Sequence, residues 1–257
     1  MTVVGPIVTV VDTERPLPWW STLGVFDLET TGIDTQSSRI VSAHVGVLDA
    51  DGEIVRSRDW LADPGVEIPE QATAVHGIST ERARTEGRPA AEVVAEIIDE
   101  LNGLFAAGTP VVIYNAPYDL SLLAAEARRH GHEPITEPAP IIDPLVIDRA
   151  VDRYRRGKRT LAAAAGYYGV DLLSAHEASS DAVAAGRVAQ AIARVYAEAL
   201  DVAAEQLHGL QIDWCRSQAE SFQEYMRRVR DPQFVADGSW PLRPALVPAV
   251  LGEGAAA

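Results

Sequence analysis

Apolar and polar positions alternate over residues 40–48, where Val41, Ala43, Val45 and Val47 take every second place and the turn Asp49-Ala50-Asp51-Gly52 follows. A period of two, closed by residues that tolerate positive φ, predicts an antiparallel hairpin across "RIVSAHVGVLDADGEIVRSRDWLA". The short apolar segment 21–29 before it is a further strand, so three antiparallel strands are expected at the start. After a loop with Pro64, Gly65 and Pro69 the period changes. Val93, Val94, Ile97, Ile98, Leu101 and Leu104 recur at helical spacing, and a helix is expected from about Ala90 to Ala107, stopped by Gly108.

"PVVIYNAPYD" is read as a fourth strand, continuous in its apolar run and therefore central. A helix over "DLSLLAAEARRHG", with Gly131 at its stop, and a fifth short strand in "PIIDP" come next, then alanine-rich helices near 144–152, 160–168 and 178–199. Strands first, then alternation with helices, predict an α/β fold on a mixed five-stranded sheet flanked by helices. From about residue 200 the pattern is different. Leu200, Ala203, Leu207, Leu210 and Trp214, resumed by Phe222, Tyr225 and Val229, mark one long amphipathic helix or two stacked ones. That apolar face needs a partner, either the protein's own body or a second copy in a homodimer. The segment "DPQFVADGSWPLRP" is too rich in turn residues for a helix and is expected along the surface. The organisation expected is an N-terminal arm (1–21), a main domain (22–199) and a helical C-terminal extension with a surface tail (200–257).

An apolar fraction of 47% suffices for a substantial core, and the single cysteine, Cys215, excludes an intramolecular disulfide framework. The chain starts without a basic stretch followed by a long apolar one, and no run of 18 apolar residues occurs, so a soluble cytoplasmic protein with no membrane partner is expected. A formal charge of −15 argues against a general nucleic-acid coat, because such binding is driven by cations displacing counterions from phosphate. A polyanion would have to be met locally. The basic run "DRYRRGKRT" at 152–160 is one place for phosphate, a solvated loop being the alternative.

The candidate chemistry starts in "GVFDLETTGID", where Asp27 and Glu29 end an apolar strand. Residues i and i+2 of a strand point to one side, about 6.5–7 Å apart, so both carboxylates address one spot. Burying unpaired carboxylates is costly, which raises the question of what cancels their charge. The pair alone has little weight, since 37 acids in 257 residues give roughly five such pairs by chance. A third acid, Asp119, stands where a helix is expected to begin, and its plain structural reading is an N-cap. A fourth, Asp181, follows His176 by five residues in "HEASSD", again at a helix start. Four carboxylates at element ends with one histidine match the needs of two-metal phosphoryl transfer. Mg²⁺ and Mn²⁺ take oxygen ligands, and a histidine titrates near working pH and can deprotonate water.

The tracts "FDLETTGID", "VHGIS", "YNAPYDLSLL" and "HEASSDA" resemble, in order and spacing, the exonuclease motifs of the histidine-containing DEDD exonucleases, the family of the proofreading epsilon subunit of bacterial DNA polymerase III. The resemblance spans roughly residues 22–197. It places Asp27 and Glu29 on the first motif, Asp119 on the second, and His176 with Asp181 on the third. Glu177 stands where the tyrosine branch has tyrosine, which favours the histidine branch. The resemblance implies a ribonuclease H-like fold and 3′-to-5′ hydrolysis with water as nucleophile. It also implies two Mg²⁺ or Mn²⁺ ions on Asp27, Glu29, Asp119 and Asp181, and His176 as general base. Leu28, Thr30 and Thr31 would hold the terminal nucleotide, with His76 and Tyr118 at the rim, Tyr118 replacing a phenylalanine common among relatives. Asp143 in "IIDP" is read as structural and Cys215 as a packing residue. There is no phosphate loop and no dinucleotide fingerprint. The expected activity is on single-stranded or frayed DNA ends, with a DNA polymerase or repair complex as a candidate partner. An exoribonuclease of RNA or short oligoribonucleotides is the alternative within the enzyme class, and a non-catalytic docking subunit is the rival outside it.

Overall fold

The computed structural model describes residues 17–172 and 177–244. After a single 3₁₀ turn at Trp19–Ser21, β1 (Leu23–Thr30) pairs antiparallel with β2 (Ile40–Leu48), and β2 with β3 (Ile54–Asp63), as the alternating pattern requires. Two short helices follow, α1 (Glu70–His76), ended by Gly77 in the left-handed region, and α2 (Thr80–Glu86), capped by the Ser79 side chain. β4 (Arg88–Pro89) adds a two-residue parallel edge to β3, and α3 (Ala90–Ala106) buries Val93, Val94, Ile97, Ile98, Leu101 and Leu104 on one face. β5 (Val111–Val112), α4 (Ala116–Arg129), β6 (Ile141–Ile142), α5 (Pro144–Val151), α6 (Leu161–Tyr168), α7 (Ala178–Val195), α8 (Ala197–Leu200) and α9 (Ala204–Val229) complete the described elements. The sheet order is β4-β3-β2-β1-β5-β6, with β5 parallel to both β1 and β6. Six strands therefore stand where five are expected, the extra one being the short β4 edge.

Strand alternation divides the core in two. Phe26 and Leu28 of β1 face one side with α3 and α4, whereas Val25 faces the other with α7. Against that second face α7 packs so closely that a Cβ on Gly186 would lie 2.5 Å from Leu48 Cδ1 and 2.6 Å from Val25 Cγ1. The leucine tip can swing away, but the β-branched valine cannot. Gly186→Ala is therefore expected to destabilise the protein by about 1–3 kcal/mol despite the better helix propensity of alanine, measurable as a lower denaturation midpoint.

Three expectations are corrected. "PVVIYNAPYD" is not one strand: β5 is two residues long, Asn115 adopts φ 67°, and Pro117 in the first turn opens α4 three residues early. Asparagine tolerates the left-handed region and proline suits the helix start, which together override the apolar run. Next, two arginines of the basic run turn inward. Arg155 Nη2 and Arg159 Nη1 donate to Asp148 Oδ2 at 2.6 and 2.8 Å, and the Asp148 side chain has no exposure. Burial opposes ionisation of Asp148, yet Arg155, Tyr168 and Arg159 together hold its carboxyl below the usual range. Finally, the tail does not simply run along the surface. Trp240 is buried in the main core and its indole N–H donates to Asp143.

The long helix α9 is continuous and covers the sheet edge at β6. Ile141 N–H donates to His208 Nδ1 at 3.0 Å, Asp143 N–H donates to Gln211 Oε1 at 2.6 Å, and Gln211 Nε2 donates to the Ile141 carbonyl at 2.9 Å. Side chains of α9 thus occupy backbone groups that an open edge would offer to another chain. Leu207 and Gln211 are fully buried there, whereas Phe222, Tyr225 and Val229 further along are about half exposed. Among the described residues no helix is long and apolar enough to cross a membrane.

Candidate active site

β1 ends with Asp27 and Glu29 on the face that α7 covers, and Asp181 lies in the first turn of α7. A carboxylate suits that position, where helix amide groups carry partial positive charge. The fold thereby brings one carboxylate oxygen each from Asp27, Glu29 and Asp181 within 4.8 Å of one another, with all three side chains partly exposed. Asp119 arrives from the sheet's other side. It is not the cap of α4, which Asn115 supplies, but a first-turn residue, buried to 3% exposure. The helix start is fixed from below by Asp143, whose carboxylate accepts from the amides of Asn115 and Ala116 at 3.0 Å each and from Leu145 at 3.0 Å. That full set of partners makes Asp143 a positioning residue for α4, in line with its structural reading.

The electrostatics are one-sided. Burial pushes the Asp27 carboxyl well above the carboxylate range, and Asp119, Glu29 and Asp181 add repulsion in that order. Burial and then repulsion from Asp181 push Glu29 up to about 7. Burial also raises Asp119, although amide hydrogen bonds, its own and that of Leu28, work against it. Among the described residues, the charges that act on Asp27 and Glu29 are those of other carboxylates. Such a cluster of hard, acceptor-only oxygens fits a divalent cation, which would reverse the sign of the local potential.

Around the acids the remaining expected residues are unevenly placed. Leu28 has its side chain in the core at 5% exposure, so only its backbone can meet a ligand. Thr30 and Tyr118 converge on the Gly32 carbonyl: Thr30 Oγ1 approaches it at 2.8 Å, Tyr118 Oη at 2.7 Å, and the two hydroxyls also touch each other. Two protons serve these three contacts, and both hydroxyls are placed to donate to the Gly32 carbonyl. The hydroxyl on Tyr118 thus clamps the turn after β1. Tyr118→Phe should weaken that clamp by about 1 kcal/mol and, if the turn seats substrate, raise KM more than it lowers kcat. Thr31 is held by Arg39 through Thr31 N–H to the Arg39 carbonyl at 3.0 Å and Arg39 N–H to Thr31 Oγ1 at 2.9 Å. His76 is buried at the end of α1, where Nδ1 accepts from Ile78 N–H at 3.1 Å, and burial lowers its pKa so that the neutral form prevails. His176 lies outside the described residues.

Residues 25–189 match the model of the exonuclease family RNase_T. The PolC-type DNA polymerase III of Streptococcus mutans is 28% identical over 169 residues, and that of Streptococcus thermophilus 29% identical over the same length. In both cases the alignment takes in 65% of this chain and 11% of the relative, so the chain spans about a tenth of these polymerases. Among solved structures, Escherichia coli Exonuclease I bound to a dT13 oligonucleotide superimposes with a TM-score of 0.60 at 19% identity, over 70% of this chain and 43% of that one. The zinc-bound complex of the same protein with single-stranded DNA gives 0.61 at 20% identity, over 70% and 42%.

Proposed function

The chain belongs to the RNase_T exonuclease family, in its histidine-containing DEDD branch with the ribonuclease H-like fold, and from that premise we propose that it is a metal-dependent 3′-to-5′ exonuclease acting on single-stranded or frayed DNA. The observation that carries this reading is the cluster of Asp27, Glu29 and Asp181, with Asp119 beside it, in which the charges that reach Asp27 and Glu29 from the described residues are those of other acids. Asp27, Glu29, Asp119 and Asp181 would hold two Mg²⁺ or Mn²⁺ ions. Bound there, the ions supply Lewis-acid charge for both the attacking and the leaving oxygen of an in-line displacement.

The chain's own groups do the rest. The turn Thr30-Thr31-Gly32, fixed by Tyr118 and Arg39, presents backbone next to the acids and seats the terminal nucleotide. His176 removes a proton from the attacking water, a role that suits a histidine because imidazole titrates near neutral pH. DNA is favoured as substrate because the related sequences are DNA polymerases and the similar structures hold oligodeoxynucleotides. A place beside a polymerase or repair complex follows from the same relatives and is part of the proposal. Matched DNA and RNA strands labelled at the 5′ end, digested with Mg²⁺ or Mn²⁺, test it: shortening of DNA from the 3′ end is expected. Shortening of RNA alone would transfer the reading to an exoribonuclease, and no shortening of either would leave a docking subunit.

A further inference from the structure

A second recess lies on the same lip of the sheet. β1, β5 and β6 run parallel and adjacent, so the residues that follow β6 stand about two strand spacings, roughly 10 Å, from those that follow β1. A cleft of about 680 Å³ opens there between α5, α9 and the returning tail, with Asn115 and Pro117 as its wall toward the acids. Three arginines, Arg149, Arg153 and Arg243, line it, all with exposed side chains. Arg243 has Asp237 at 4.0 Å, while no carboxylate pairs with Arg149 or Arg153 among the described residues. In a chain with 37 acids against 22 basic residues, three arginines gathered on one recess form a local exception to the field of the molecule. The recess also offers ring surface, from the half-exposed Phe222 and the partly exposed Trp214 of α9.

Resting on the exonuclease reading above, we propose that this cleft binds the substrate strand itself, upstream of the terminal nucleotide, with arginines on phosphates and aromatic rings against a base. Planar guanidinium groups match phosphate, and rings accept any base without reading its identity. The position continues the path of a strand whose 3′ end lies at Asp27 and Glu29. Asn115 and Pro117 border the cleft while Tyr118 and Asp119, next in the chain, face the acids, so one helix start separates the two places. One side of the cleft comes from residues 214–243, beyond the 25–189 stretch that matches the family, and the other, with Arg149 and Arg153, from α5 with the turn after it and from the start of α4, within that stretch. The recess is closed only where this chain's extension packs beside α5, and it meets a polyanion locally where the overall charge of −15 opposes one. An acidic peptide would find the same cations, but it has no reason to lie in line with the acids.

Oligothymidylates of two to twelve residues, labelled at the 5′ end, would be titrated by fluorescence anisotropy into full-length Asp27→Asn protein in Ca²⁺. Affinity is expected to rise in a step of about tenfold or more once the strand reaches the cleft. In the double variant Arg149→Gln/Arg153→Gln that step should vanish, and the salt dependence for the longest strand should become shallower by about 0.7 for each phosphate that no longer meets a cation. A length step that survives the double variant overturns the proposal. So does an acidic, phenylalanine-containing peptide that needs Arg149 and Arg153 yet binds together with the long strand. Digestion by the unaltered chain keeps the two readings apart. Hydrolysis of DNA without any length step refutes the cleft alone, and absence of hydrolysis refutes the exonuclease reading.

Discussion

Asp27→Asn should abolish hydrolysis, by about 10³-fold or more, and at the same time raise the denaturation midpoint of the metal-free protein at pH 8. The two effects have one cause. Asp27 is held among carboxylates with no cationic side chain among the described residues to offset them, and its folded-state pKa lies well above its usual value through burial and through repulsion by Asp119, Glu29 and Asp181. A carboxyl group whose pKa is raised on folding favours the folded state fully below the unfolded pKa, and that support is lost as pH rises through the folded pKa. For Glu29 the window runs from the ordinary carboxylate range to about 7. The metal-free protein should accordingly lose stability from about pH 4 upward. Mn²⁺ should restore it above pH 7 in the native chain and do so poorly in the variant, because the ion binds the folded state only. Removal of one acid relieves repulsion in the metal-free state but also replaces an anionic ligand oxygen by a neutral amide oxygen, and several kcal/mol of transition-state charge stabilisation go with it. Calorimetric scans at pH 5 and 8, with and without Mn²⁺, check the stability half. A variant less stable than the native protein at pH 8 without metal would contradict it.

His176→Asn should lower kcat by about 10²–10⁴-fold while leaving the stabilisation by Mn²⁺ in place. A general base must be deprotonated to act, so the native rate should climb with pH through a histidine-dependent limb and level off above it. In the variant that limb should disappear, because Mn²⁺ on the four carboxylates would hold them ionised across this range and leave no other base to titrate there. The pH profile of kcat in Mn²⁺ separates this from a structural role. A variant that keeps its activity within tenfold and retains the acidic limb would remove His176 from the mechanism.

Much of the fold is legible in the sequence because its periods are clean. Val41 to Val47 alternate and become β2, and the α3 stripe from Val93 to Leu104 is buried as its spacing requires. The acids at 27 and 29 stand out as a strand end, and "HEASSD" places Asp181 at a helix start, where α7 has it. What is not legible depends on single residues overruling a pattern. Asn115 in the left-handed region and Pro117 turn an apolar run into a helix start, which moves Asp119 from the cap into the first turn. The basic run at 152–160 has the composition of a solvated loop, yet Asp148 on the preceding helix draws Arg155 and Arg159 inward. No local signal in the run itself reveals that ion cluster, because it is made by tertiary packing. Trp240 likewise sits among turn residues, and only its large apolar surface hints that the tail returns to the core. His208 and Gln211, which occupy the β6 edge, are polar residues on an apolar helical stripe, and their partners are backbone groups that no sequence pattern announces.

On this reading the acid cluster exists to hold divalent ions with which the chain hydrolyses a DNA strand from its 3′ end. A 5′-labelled single strand should be incubated with the native chain in rising Mn²⁺, with the same reaction in a chelator and with Asp27→Asn alongside. The expected outcome is a ladder of progressively shorter labelled products that grows with Mn²⁺ and is absent from both controls. Immediate release of the labelled 5′ nucleotide, or a ladder equally strong in the chelator or the variant, would refute that role for the cluster.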